Sequence, residues 1–138
     1  MIDSKVGSNF RITGIGEVLW NVFPGGKRFG GMPSNFACQA QALGANAQIV
    51  SCVGQNQLGQ KSYHFQKHVR SKHHQSPFLT SIQTGTVRVQ LDPSGHPKFE
   101  ICADSAWDFI PWPEKIVILT STASAVCYGT LSQQSQMS

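Results

Sequence analysis

Apolar positions first gather between Phe10 and Phe23, where Ile12, Ile15, Val18, Leu19, Trp20 and Val22 recur without a helical period. The run predicts a buried strand that continues into an extended loop. Pro24-Gly25-Gly26-Lys27-Arg28 supplies turn chemistry. Gly30-Gly31-Met32-Pro33 then leads into Ser34–Leu43, a stretch of Phe, Ala, Gln and Leu that ends at Gly44. Proline near the start and glycine just past the end predict a helix there. Gln48–Val53 is a short β-branched run and predicts a second buried strand. Strand, helix and strand in that order predict a parallel βαβ unit, and hence an α/β fold.

A second helix is predicted from Gln57 to about Ser71, with Leu58, Ser62, Phe65 and Val69 at helical spacing and Lys61, Lys67, Arg70 and Lys72 facing water. The period then changes to two. Val87, Val89 and Leu91 alternate with Thr86, Arg88 and Gln90, and Lys98–Cys102 alternates again, with Phe99 and Ile101 on one face. Asp92-Pro93-Ser94-Gly95 between them has the residues of a type I turn, so a β-hairpin is predicted between α/β units. Ile116–Leu119 is an apolar strand candidate, Ala125–Tyr128 a further one, and Ser132–Ser138 a loose polar tail.

The length, 138 residues, suits one domain. Hydrophobic residues make up 40%, too many for a disordered chain, while charged residues make up only 13%. No apolar run approaches the ~20 residues of a membrane helix, and Met1–Lys5 does not open a secretory signal. A soluble, cytoplasmic protein is the expectation. The net charge of +4 conceals a gap: after Asp3 and Glu17 no acid occurs until Asp92. Such a stretch attracts phosphate-bearing ligands, but no nucleic-acid motif or aromatic stacking pattern accompanies it, so nucleic acid is not an expected partner. Cys38, Cys52, Cys102 and Cys127 lie far apart, never as CxxC, and are expected to be reduced, half-buried thiols.

Gly14-Ile15-Gly16-Glu17-Val18-Leu19 begins like a dinucleotide fingerprint but has Leu19 at the third glycine, and no P-loop occurs. His64 and His68 share a helix face, and His73 and His74 follow, yet no acid or suitably spaced cysteine completes a metal site. No GxSxG elbow or paired carboxylates point to nucleophilic or acid–base catalysis. Gly30-Gly31-Met32-Pro33-Ser34-Asn35 stands apart. A glycine pair lets backbone approach a ligand, and the helix start offers unpaired N–H groups. Asn35, in the first turn, can donate to and accept from vicinal hydroxyls at once. By itself, the same segment also reads as a tight turn with a well-formed helix start.

Seven blocks in order carry a resemblance. They are Gly16-Glu17-Val18-Leu19-Trp20-Asn21-Val22-Phe23-Pro24, Gly30-Gly31-Met32-Pro33-Ser34-Asn35-Phe36-Ala37, Ala42-Leu43-Gly44-Ala45, Val53-Gly54 with Leu58-Gly59, Thr84-Gly85-Thr86-Val87, Ala106-Trp107-Asp108-Phe109-Ile110 and Tyr128-Gly129-Thr130-Leu131. Together they resemble the ribokinase-like (PfkB) carbohydrate kinases, and among these the bacterial fructokinases. The resemblance implies a partial ribokinase-like α/β fold over 1–131: a mainly parallel sheet with flanking helices and a β-hairpin lid at about 84–103. Residues 132–138 would be a polar tail.

The activity so implied is ATP-dependent phosphorylation of a sugar hydroxyl, with ATP and Mg as cofactors of the full kinase and fructose or a similar sugar as substrate. Carried over residue by residue, Asn21, Gly30, Gly31 and Asn35 are implied sugar-binding positions. Phe99 on the lid is an implied contact to the ring, and the lid hairpin an implied homodimer contact. Three departures qualify this. Asn21 stands where the family usually has Asp, so one acceptor becomes a donor at a bond of about 1–3 kcal/mol. Gln55 and Asn56 follow Val53-Gly54, where the family usually has acids. Finally, no GAGD-type catalytic segment occurs, nor the adenine-binding region. The expectation is the N-terminal, sugar-binding part of a kinase, truncated before the C-terminal half, inactive alone and without strong affinity for ATP or Mg. The alternative is a non-enzymatic sugar-binding or dimerising module.

Overall fold

The structure, a computed structural model, describes residues 10–68 and 78–134. The end of the second predicted helix, His73, His74, Lys72 and the last four residues of the predicted tail lie outside the described residues, as does the His68 side chain.

Strand β1 (Arg11–Ile15) pairs in parallel with β4 (Asn46–Val50) on one side and with β9 (Ala125–Tyr128) on the other, giving the order β4-β1-β9. Helix α1 (Met32–Ala42) links β1 to β4 and covers one sheet face. Its Ala37 packs with Ala47, Ile49, Val18 and Val53, with Ile12 and Ala40 at the margin. This is the parallel βαβ unit that the sequence implies. On the other face Gln48 Nε2 donates to Thr13 Oγ1 at 3.0 Å within the buried sheet, while Gln48 Oε1 is buried without a hydrogen-bond partner.

The long apolar run Phe10–Phe23 is not one strand. It breaks at Gly16–Val18 into β1 and β2 (Leu19–Phe23), which lie in different sheets. Pro24-Gly25 makes the turn, and the rest of the predicted turn cluster belongs to a further strand, β3 (Gly26–Gly30), antiparallel to β2. Helix α1 starts at Met32, two residues before the predicted Ser34. Gln48–Val53 likewise divides at Ser51 between β4 and β5 (Cys52–Gly54), the latter parallel to β6 (Phe78–Thr80).

The predicted hairpin is real: β7 (Gly85–Leu91) and β8 (Pro97–Ile101) are antiparallel. Gly95 N–H donates to Asp92 O at 2.9 Å, and Asp92 Oδ1 accepts from Ser94 and His96 N–H. It is not a separate flap, however. Because β2 pairs with β7, the four strands form one sheet in the order β3-β2-β7-β8. One face, with Leu19, Val87 and Val89, packs on Trp107, Phe23 and Leu131. The opposite face carries Trp20 and Phe29 against helix α2 (Gln57–His68). Trp20 Nε1–H donates to Ser62 Oγ at 2.9 Å, and the rings of Phe29 and Phe65 stack at 4.2 Å. An aromatic pair contributes about 0.5–1.5 kcal/mol beyond its buried area, so the sheet is anchored to the body by specific contacts.

Ile116–Leu119 is a helix, not a strand: it lies within α3 (Glu114–Ser121). Pro113 precedes the first turn, Glu114 opens it, and within it Ile116 is fully buried while Val117 and Ile118 are about half exposed. A run of four apolar residues fits both periods, and only the flanking proline and acid separate them. Within the predicted loose tail, Ser132 is instead buried in a 3-10 helix (Leu131–Gln133).

Candidate functional site

The site is built where β1 and β3 end and α1 begins. Gly31 is the residue ahead of α1, buried, with φ +114. A side chain there would be strained and would overlap the carbonyl of Glu17. Gly31 thus brings the helix start directly onto the β1–β2 connection. Its carbonyl accepts from Asn35 N–H at 2.9 Å, which closes the first turn and leaves the Asn35 side chain exposed beside it. Gly30 closes β3 opposite Leu19, and a Cβ on it would come within 2.7 Å of Asn21 Nδ2. Asn21, Gly30, Gly31 and Asn35 therefore run as one continuous strip from the middle of β2 to the first turn of α1.

Phe99 does not join that strip. In register, Asn21 faces Val87 and Val87 faces Ile101, so Ile101 occupies the row of Asn21. Phe99 lies one row further out on the same sheet face, two strands or about 10 Å from β2. It is 63% exposed, as Leu91 is 64% and Ile101 47%, and the three extend the buried Val87–Val89 face into solvent.

Two of the three departures take on structural meaning. Asn56 Oδ1 accepts from Gly59 N–H at 2.9 Å and from Thr84 Oγ1 at 2.8 Å, capping α2 as a carboxylate would. The loss of an acid there changes charge and not the cap. Asn21 instead presents its amide to Gly30, inside the strip.

Glu17, in the sequence one of two acids before a long acid-free stretch, has a position of its own in the structure. It is 3% exposed, and its Oε2 has no hydrogen-bond partner. Burial pushes the carboxyl above its ordinary range, while the backbone N–H groups of Glu17, Met32 and Ser132 pull it back in part. A signal existed: Glu17 is the lone acid of the first 91 residues beyond Asp3, set between a glycine and an apolar run.

A cavity of about 360 Å³ is lined by Ile15, Trp107, Trp112, Val126, Tyr128 and Ser132 among others, and by none of Asn21, Gly30, Gly31, Asn35 or Phe99. Cys52 is buried and pushed up to about 11 by desolvation, Cys38 is raised for the same reason, and all four cysteines are free. Cys102 is exposed, against the half-burial expected of it. Among the described residues no three His, Cys, Asp or Glu side chains gather as a metal site, and no described helix is long and apolar enough to cross a membrane.

No protein-family model and no curated protein matches the sequence. The fold does match solved structures. A sugar kinase of Pyrococcus horikoshii superposes with a TM-score of 0.76 at 22% identity, over 88% of this chain and 43% of that one. The fructokinase of Vibrio cholerae gives 0.65 at 25% identity, over 75% and 38%. The ribokinase of Giardia lamblia gives 0.67 at 18%, over 88% and 42%. The chain thus has part of the ribokinase-like α/β fold of sugar kinases, and it spans about two fifths of the length of the structures it matches. The Pyrococcus kinase is also known in complex with ATP.

Proposed function

We propose that the chain is the sugar-binding part of an ATP-dependent sugar kinase of fructokinase type, taking fructose or a similar sugar at Asn21, Gly30, Gly31 and Asn35. The observation that carries this reading is the strip itself. Glycines without side chains, the N-terminal turn of an eleven-residue helix and two carboxamides converge where parallel strand β1 ends. In open α/β sheets that is where ligands sit, and carboxamides match the donor–acceptor character of vicinal hydroxyls. The β7–β8 hairpin, continuous with β2, would serve as the lid, with Ile101 in the row of Asn21 and Phe99 further out as its apolar contacts.

The residues present do not fit a nucleotide–magnesium site. No GAGD-type or P-loop segment occurs in the sequence, and no acidic cluster occurs among the described residues. Phosphoryl transfer rests on positioning and charge stabilisation around the nucleotide. The chain alone therefore turns over no sugar. Coupling ADP release to fructose and other hexoses tests this, with no sugar-dependent ATP consumption expected; robust turnover by the 138 residues would overturn it. A second reading, a dimerising module without catalysis, draws on the exposed Leu91, Phe99 and Ile101 of the lid.

A further inference from the structure

Gly129 has no positive φ, so its backbone would accept alanine without strain. What bars a side chain there is Glu17: the three atoms nearest a Cβ built on Gly129 are the two carboxylate oxygens and Cδ of Glu17. The loop after β9 is thus seated on a carboxylate that belongs to the loop after β1. That carboxylate also faces the N–H of Met32, the first residue of α1, and the N–H of Ser132. Ser132 Oγ donates to Gly129 O at 3.0 Å, and Gly129 N–H donates to Ile15 O at 2.8 Å, which closes the loop around it. On the other side, Gly31 lies against the carbonyl of the same Glu17. One residue of the loop after β1 therefore touches two other segments: the helix start that carries Asn35, and the loop after β9 at Gly129 and Ser132.

We propose that Glu17 is the positioning residue of the candidate sugar site, holding the first turn of α1 against the β9 loop through its carboxylate. The proposal rests on the sugar-site reading for its functional meaning, but not for its test. Held at 97% burial with the N–H of Met32 at the start of α1 among its backbone donors, the carboxylate acts in the way an anion does at such an end, here supplied by the chain itself. Its unpartnered Oε2 lies over Gly129, where no side chain intervenes. Glu17 fixes where Asn35 points without touching the sugar.

A double-mutant cycle in the whole chain tests this directly. Gly129→Ala is expected to lower stability while Glu17 is present and to be nearly neutral beside Glu17→Ala, because the obstructing carboxylate has gone. Amide exchange supplies the local reading. In Glu17→Ala, protection at Met32 and Asn35 should fall by about tenfold or more relative to the β2–β3 hairpin, and Glu17→Gln should restore much of it. Additive effects of the two alanine substitutions overturn the proposal, as does protection lost equally throughout the molecule. Fructose titration of the same variants separates the two claims. If the unaltered chain gives no heat, the sugar reading fails, while the cycle and the amides still decide the role of Glu17.

Discussion

A carboxylate away from water is costly unless donors surround it, and Glu17 has only backbone donors on one side. Its folded pKa consequently lies above the unfolded value. The sign follows from linkage. A raised carboxyl contributes stability that is fully present below the unfolded pKa and is lost as pH rises through the folded one. Unfolding free energy should therefore fall as pH is raised above about 4.3, and Glu17→Gln should flatten that fall. Urea titrations at several pH values check this, and parallel pH curves for the two proteins would contradict it. At this scale the sequence is legible in part. The glycines and Asn35 stand out because their chemistry is local, whereas the burial of Glu17 depends on Gly31 and Gly129 arriving from distant segments.

The elements were readable where the period was long and the ends were marked. Helix α1 has its proline and glycine, and the β7–β8 turn has Asp92 and Gly95 in the right places. Where an apolar run was continuous its boundaries could not be read, and in one case its type could not either. Phe10–Phe23 hid two strands in two sheets, and Ile116–Leu119 hid a turn of α3. Joining β2 and β3 to the hairpin required the long-range β2–β7 pairing, which no local pattern announces. The resulting sheet has a consequence of its own: Leu91, Phe99 and Ile101 form an exposed apolar stripe on one face. Contiguous apolar surface of this kind favours association. Sedimentation should find the protein dimeric or larger at micromolar concentration, with Phe99→Ser shifted toward monomer; a monomeric parent protein contradicts this.

For the whole molecule, the three sheets and their helices match about two fifths of the length of solved sugar kinases. Among the described strands β9 pairs on one side only, and its Val126 and Tyr128 are 41% and 59% exposed, so this edge also carries apolar surface. The fold resemblance was legible from ordered motif blocks spread through the chain, each too short to be decisive alone. The central claim is that the strip from Asn21 to Asn35 binds a sugar, and calorimetry of the chain with fructose tests it most directly. Binding heat at roughly millimolar sugar, abolished in Asn35→Ala with folding intact, is the predicted result; no heat from the parent chain, or the same heat from Asn35→Ala, would contradict it.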